Sequence, residues 1–243
     1  MIESRERIRI LDIPVDRVSR AEATEIFESL LRAEGCSQIV TPNSEILWNA
    51  TKDAGLKAII SEAELVIPDG IGLVYASRLI GSPLSERVTG IDFLGAALRR
   101  LADRGESVYL LGGAPGIAEK AADRMRAEYP GLRVAGVRHG YYKPEEEAAI
   151  ALEINESGAL LLCAALGSPK QERFIHAHKA SLSARAAIGV GGSLDIWAGV
   201  QKRAPAFFRD HGLEWLYRLA RQPARIKRAA ALPLFMLRVL FDR

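Results

Sequence analysis

Cysteine is scarce. Cys36 and Cys163 are the only two in 243 residues, far apart and in no C-x-x-C arrangement. They offer no redox motif and read as small buried hydrophobes of a reducing compartment. No apolar stretch reaches the ~20 residues that a membrane-spanning helix requires. The opening MIESRERIRI is charged and holds no apolar signal core, so no secretory leader is expected and the cytoplasm is the expected compartment. Low-complexity tracts are missing as well. A dinucleotide-binding fingerprint is also lacking: Gly70-Ile71-Gly72 is followed by Leu73, Val74 and Tyr75, and bulky Tyr75 stands where that motif needs glycine for close helix–strand packing. With no Walker A loop either, the residues argue against a nicotinamide dehydrogenase.

What is present is a soluble globular composition, 49% hydrophobic and 26% charged, on a chain long enough to bury a substantial core. The net charge of +3 hides an asymmetry. From Gly199 onward there are ten Lys/Arg against three Asp/Glu, a surplus of seven positive charges, so the preceding residues carry a surplus of four negative ones. A basic tail on a mildly acidic body points to an anionic partner: a lipid surface, a diphosphate or a nucleic acid.

Short β-rich runs alternate with helical patterns. Strands are expected at 8–13, 38–41, 65–68, 108–111, 134–137, 160–165 and 186–190, with helices over 20–34, 91–104, 116–129, 144–157 and 170–180. Runs such as "ALLLCAAL" are apolar on both faces, as in a parallel sheet covered on each side. The expected fold is therefore α/β: a Rossmann-like, mostly parallel sheet with helices on both faces over residues 1–198. Beyond it, residues 199–243 read as a basic, amphipathic helical appendage. Arg218, Arg221, Arg225 and Arg228 recur at three- and four-residue spacing, among Trp215, Leu216, Tyr217 and Leu219, the pattern of an interfacial helix near lipid head groups.

Functional loops of such a sheet gather at the carboxyl ends of its strands. "TPNSE", "PDGIG", "GGAPG", "GSPKQE" and "GVGGSLD" each follow an expected strand. The turn at Gly112-Gly113 leads into a helix whose free N–H groups would attract phosphate, or it is a tight turn needing glycine for backbone shape alone. Gln171 completes a capping box with Ser168, or it lines a pocket. Thr41 and Asn43 have the same two readings, since Asn is a common N-cap. Asp69 either caps a helix or, ionised by the hydrogen bonds of a helix start, serves as a general base. Metal ligation is poorly supported. There is no D-x-D, and His176 and His178, two apart, point to different helix faces.

Taken together, "TPNSEIL", "ELVIPDGIGLVYASRLIG", "ERVTGIDF", "VYLLGGAPG", "GSPKQE", "GVGGSLDIWAG" and "GLEWLYRL", in this order, resemble the WecG/TagA/CpsF family of bacterial glycosyltransferases. The resemblance runs from about Ile8 to the C-terminal helices. It implies an inverting enzyme that moves N-acetylmannosamine, or its uronic acid, from a UDP-sugar to undecaprenyl-diphosphate-linked N-acetylglucosamine, for teichoic acid or another cell-surface polysaccharide. No metal and no cofactor are implied. Carried over by motif, Asp69 becomes the catalytic base, and Thr41, Asn43, Arg87, Gly112, Gly113, Gln171 and Asp195 the substrate-binding set. Arg218, Arg225 and Arg228 would meet the lipid diphosphate. The expected partners are the donor, the polyprenyl-diphosphate acceptor and the anionic inner face of the cell membrane, with no nucleic acid; a homo-oligomer is left open. Ser44 departs from the proline or alanine frequent at that place. Two other classes remain: a non-catalytic nucleotide-sugar module, which would not need Asp69, and a nucleic-acid binder using the basic tail with Trp215 and Tyr217 stacked on bases.

Overall fold

Residues 8–13 do not form the single strand that their apolar character suggests. In the computed structural model, which describes residues 5–221 and 231–241 and only the backbone of Arg218, they fold into a hairpin. Strands β1 (Arg7–Ile10) and β2 (Ile13–Asp16) pair antiparallel, with Ile10 opposite Ile13. Leu11 and Asp12 between them have φ of 54° and 61°, the two left-handed positions that a tight two-residue hairpin turn needs.

Six further strands form a parallel sheet: β3 (Ser37–Val40), β4 (Leu65–Val66), β5 (Ser107–Gly112), β6 (Arg133–Arg138), β7 (Leu161–Ala165) and β8 (Ala186–Gly189). Their spatial order is β4-β3-β8-β7-β5-β6. Asp16 ties the hairpin to the β4 edge. Fully buried, it accepts from Arg5 Nε at 2.6 Å, from Arg7 Nε at 2.7 Å and from the Val66 N–H at 2.6 Å. An outward backbone donor of the edge strand is thus satisfied from within the chain.

The helices are α1 (Arg20–Leu30), α2 (Ser44–Ala50), α3 (Ala54–Glu62), α4 (Ile71–Leu79), α5 (Gly90–Ala102), α6 (Ile117–Glu128), α7 (Glu147–Glu156), α8 (Lys170–His178) and α9 (Ser193–Trp197). Beyond Gly199 lie α10 (Ala206–Asp210), α11 (Glu214–Arg221) and α12 (Ala231–Phe241). Alternation along the strands sorts the core. Val108 and Leu110 of β5 join α1, α5 and α6 on one face, while Tyr109 and Leu111 join α7 and α8 on the other. The α/β architecture expected from the sequence is therefore the one found.

A third apolar cluster unites the hairpin with α2, α3, α4 and α12. Phe235 and Val239 of α12 are buried there. The boundary expected at Gly199 falls between α9 and α10, yet the last helix of the appendage shares a core with the body. The opposite face of α12 exposes Leu234, Leu237, Leu240 and Phe241, the last at 83%. Among the described residues no helix is long and apolar enough to cross a membrane.

Candidate active site

The chain leaves β4 through Pro68 and Asp69, whose N–H donates to the Pro42 carbonyl at 3.0 Å. This bond fastens the "PDG" turn to the "TPN" turn that leaves the neighbouring strand β3. The N-cap of α4 is Gly70, at φ +88°, so Asp69 is not the capping residue. Its carboxylate faces the start of α5 instead. A Cβ built on Gly90 would stand 3.5 Å from Asp69 Oδ2 and 3.1 Å from Thr41 Oγ1. Glycine at 90 therefore lets the helix start approach both groups. Thr41 Oγ1 also donates to the Gly189 carbonyl at 3.3 Å, linking the β3 turn to β8. Asn43 Oδ1 accepts from the Ile46 N–H at 3.0 Å as the cap of α2, and the residue lines a cavity with Asp69.

That cavity, about 190 Å³, lies between the body and the appendage. Its polar side carries Asn43, Glu45, Asp69, Arg87 and Glu214; its apolar side carries Ile71, Trp215, Leu219 and Leu232. Arg87 joins the two parts of the chain. Its Nη1 donates to the Arg209 carbonyl at 2.9 Å, and its Nη2 stands 3.8 Å from Glu214 Oε2. Glu45 and Glu214 were not singled out from the sequence as site residues, and Leu219 and Leu232 only as part of an apolar helical surface. An acid or a leucine in a helix carries no sign of what it will face once the chain has closed.

Gly112, Gly113, Gln171 and Asp195 of the sequence reading do not line this cavity. Gly112 ends β5 and Gly113 follows it, four strand positions from β4, or about 19 Å at the usual strand spacing. Both need to be glycine for backbone reasons. A Cβ at Gly112 (φ +134°) would collide with the Ala165 carbonyl, and one at Gly113 (φ +71°) would stand 2.7 Å from Ile117 Cγ2. The Gly113 N–H is itself spent on the Ala165 carbonyl at 3.1 Å. Gly116, the N-cap of α6 at φ +86°, is different, since a Cβ there would meet nothing within 4 Å. The same holds for Gly167 after β7 and Gly191 after β8. These positions leave the middle of the carboxyl edge open, with the N-terminus of α6 at its far end.

Gln171 does not form the capping box with Ser168. The N-cap of α8 is Pro169, without a side-chain cap bond, and Gln171 turns inward. It is buried, accepts from the Gly191 N–H at 3.0 Å and donates to Glu172 Oε1 at 2.8 Å. Ser168 loses that competition because Gln171 finds two partners inside the fold. Asp195 lies in α9, half-buried, and its carbonyl accepts from the N–H groups of Val200 and Gln201, both at 3.0 Å. Arg218 lies on the α11 backbone, while Arg225 and Arg228 lie outside the described residues. Among the described residues no group of three or more His, Cys, Asp or Glu could hold a metal ion.

The model of the Glycosyl transferase WecG/TagA/CpsF family matches residues 8–243. An N-acetylglucosaminyldiphosphoundecaprenol N-acetyl-beta-D-mannosaminyltransferase of Bacillus spizizenii (strain ATCC 23059 / NRRL B-14472 / W23) is 38% identical over 202 residues, covering 83% of this chain and 78% of its own length. A protein of the same name from Bacillus subtilis (strain 168) is 34% identical over 202 residues, with the same coverage. Another, from Staphylococcus aureus (strain MRSA252), is 30% identical over 236 residues, 96% of this chain and 92% of its own.

Proposed function

The chain belongs to the WecG/TagA/CpsF family of glycosyl transferases, and from that premise we propose that it transfers N-acetylmannosamine from a UDP-sugar to N-acetylglucosamine carried on undecaprenyl diphosphate. The observation that carries this reading is the position of Asp69. Its carboxylate stands beside Thr41 at the carboxyl edge of a parallel sheet, in a cavity with one polar and one apolar side.

In the proposed reaction the acceptor hydroxyl oxygen attacks the anomeric carbon of the donor sugar while its proton passes to Asp69. The bond from that carbon to the diphosphate oxygen breaks on the opposite face, so the configuration inverts. UDP leaves as an anion and needs no proton from the protein, which is why one carboxylate suffices where glycoside hydrolases use two. The donor is proposed to lie along the edge from the α6 N-terminus, over Gly112, Gly113 and the Gly191 turn with Asp195, toward Thr41 and Asn43. Helix N-termini and arginines are suited to the charge of the departing diphosphate.

The acceptor is assigned to the side of the cavity made by the appendage. Ile71, Trp215, Leu219 and Leu232 offer an apolar wall to the first isoprene units, and Arg87 with Arg218, Arg225 and Arg228 is assigned to the diphosphate. The exposed leucines of α12, with Trp215 and Leu216 of α11, continue that apolar surface outward. We assign this surface to the cytoplasmic face of an anionic membrane, with the body in the cytoplasm and the basic residues near lipid head groups.

Turnover with a panel of UDP-sugars and a short-chain lipid-diphosphate-GlcNAc acceptor tests the reading. The expected product is ManNAc-GlcNAc on the lipid diphosphate. UDP-sugar binding without transfer would make the chain a binding module. Salt-sensitive binding to RNA that ignores UDP would favour the nucleic-acid reading. Loss of pelleting with anionic but not neutral vesicles at high salt would support the docking surface.

A further inference from the structure

A polar cluster is sealed beneath the carboxyl ends of β3 and β8, and the proposed reaction makes no direct use of it. Gln38 is 1% exposed, Gln171 4% and Glu172 1%. Hydrogen bonds fix both amides. Gln38 Nε2 donates to the backbone carbonyl of Glu172 at 3.0 Å, and Gln171 Oε1 accepts from the Gly191 N–H at 3.0 Å. Neither amide can be flipped, because a carbonyl only accepts and a backbone N–H only donates. Gln171 Nε2 is thereby directed at Glu172 Oε1, to which it donates at 2.8 Å. Glu172 Oε2 and Gln38 Oε1 are left buried, both of them acceptors and both without a donor.

An orphaned buried acceptor is costly, and an unpaired buried carboxylate is costlier still. A proton on Glu172 removes the buried charge and makes its orphaned oxygen a donor instead of an unsatisfied acceptor. We infer that Glu172 is held as the neutral carboxylic acid at neutral pH, and that in this form it positions Gln171 and, through it, the Gly191 turn that leads to Asp195.

The surroundings agree. Burial pushes the Glu172 carboxyl up from its ordinary value, against the opposing hydrogen bonds of Gln171, its own backbone and Ser168. β3, β7 and β8 bring no charged side chain to the cluster. The charges on and around α8 are engaged elsewhere, Lys170 with the Gly140 carbonyl at 3.5 Å and over the Tyr142 ring at 3.7 Å. Arg173 pairs with Asp53 at 2.6 Å and Lys179 with Glu64 at 2.7 Å, while His176 stands 3.9 Å from Glu62 and His178 3.8 Å from Glu147. The Gln171 amide has little room to be elsewhere: a Cβ on Gly189 would stand 2.5 Å from its Nε2. Glu172 thus acts as a positioning residue, touching the Gln171 side chain and not the substrates.

The sign of the pH dependence follows. For an acid whose folded pKa is raised, its contribution to stability is complete below the ordinary value of 4.5 and is lost as pH climbs toward the folded one. In Glu172→Gln that loss is absent, so the thermal midpoint of E172Q minus that of the wild type should widen from about pH 5 to about pH 8. Infrared difference spectra of the full chain at neutral pH should show a protonated-carboxyl band that E172Q lacks. Absence of that band, or a midpoint gap that does not change with pH, overturns the neutral acid. For positioning, E172Q should keep turnover within about twofold while Glu172→Ala, which leaves Gln171 without its partner, loses about 10–100-fold. E172Q as impaired as E172A, or E172A at full turnover, overturns the positioning role. The turnover arm rests on the proposed transferase reading; the infrared and thermal arms do not, so the two failures can be told apart.

Discussion

The turns after β4 and β5 are both glycine-rich passages from a buried strand into a helix, yet only the first carries a charged residue. The β4 turn begins with a carboxylate, is fastened to the β3 turn, and is roofed by the appendage. At Gly72 in α4 the glycine makes room for Leu232 of α12, whose Cδ1 would stand 2.8 Å from a Cβ there. The β5 turn has no acid. Its first glycines are pressed against Ala165 and Ile117, and its last, Gly116, opens onto space at a helix N-terminus. Glycine in such a turn therefore reports either close packing, as at Gly72 and Gly112, or a left-handed backbone in open space, as at Gly116.

The largest test of that contrast is Asp69→Asn. It keeps size and hydrogen-bonding capacity but loses basicity, so turnover should fall by roughly 10²–10⁴ while UDP affinity, measured by calorimetry, stays near wild type. Full turnover would take Asp69 out of the chemistry and erase the difference between the two turns. Next comes the roof. Phe235→Ala in α12 removes a fully buried ring from the core shared with α2 and α4, and should cost about 3–5 kcal/mol in urea unfolding. A loss below about 1 kcal/mol would mean that α12 is peripheral to that core.

The β5 turn can be tested within itself. Gly112→Ala drives a methyl group into the Ala165 carbonyl and should destabilise by about 1–3 kcal/mol. Gly116→Ala has only the left-handed backbone to pay for and should cost roughly 1 kcal/mol, so equal losses would contradict the distinction drawn between them. The smallest expected effect is none at all. With helix N-termini and arginines assigned to the charge of the departing diphosphate, excess EDTA should leave turnover unchanged. Loss restored by Mg²⁺ or Mn²⁺ would show that this assignment is incomplete.

Much of this was legible because the parallel strands are short apolar runs bounded by glycine and proline. Each of the six runs assigned to it lies within a residue or two of a strand in the parallel sheet. The hairpin was missed because Leu11 and Asp12 carry none of the glycine that usually marks a left-handed turn. Helices α2 and α3 escaped notice because they are short, and their caps Asn43 and Asp53 read equally well as loop residues. The candidate site divides along the same line. Asp69, Thr41 and Asn43 stand at strand ends, where spacing alone places them on one edge. The inward turn of Gln171 depends on Gly191 and Glu172 meeting it across the fold, and the burial of Phe235 depends on α2 and α4; neither can be read from a local pattern.

The strand order carries a consequence for how the chain assembles. β3 and β4 can pair early, and so can β5 and β6, but the strands that join these pairs, β7 and β8, come later in the sequence. Until residues 186–189 arrive, β3 presents an unpaired edge, and until 161–165 arrive so does β5. The centre of the sheet is therefore the last part of it to close during synthesis. Contacts of such long sequence separation slow folding and leave strand edges open to wrong partners in the interval.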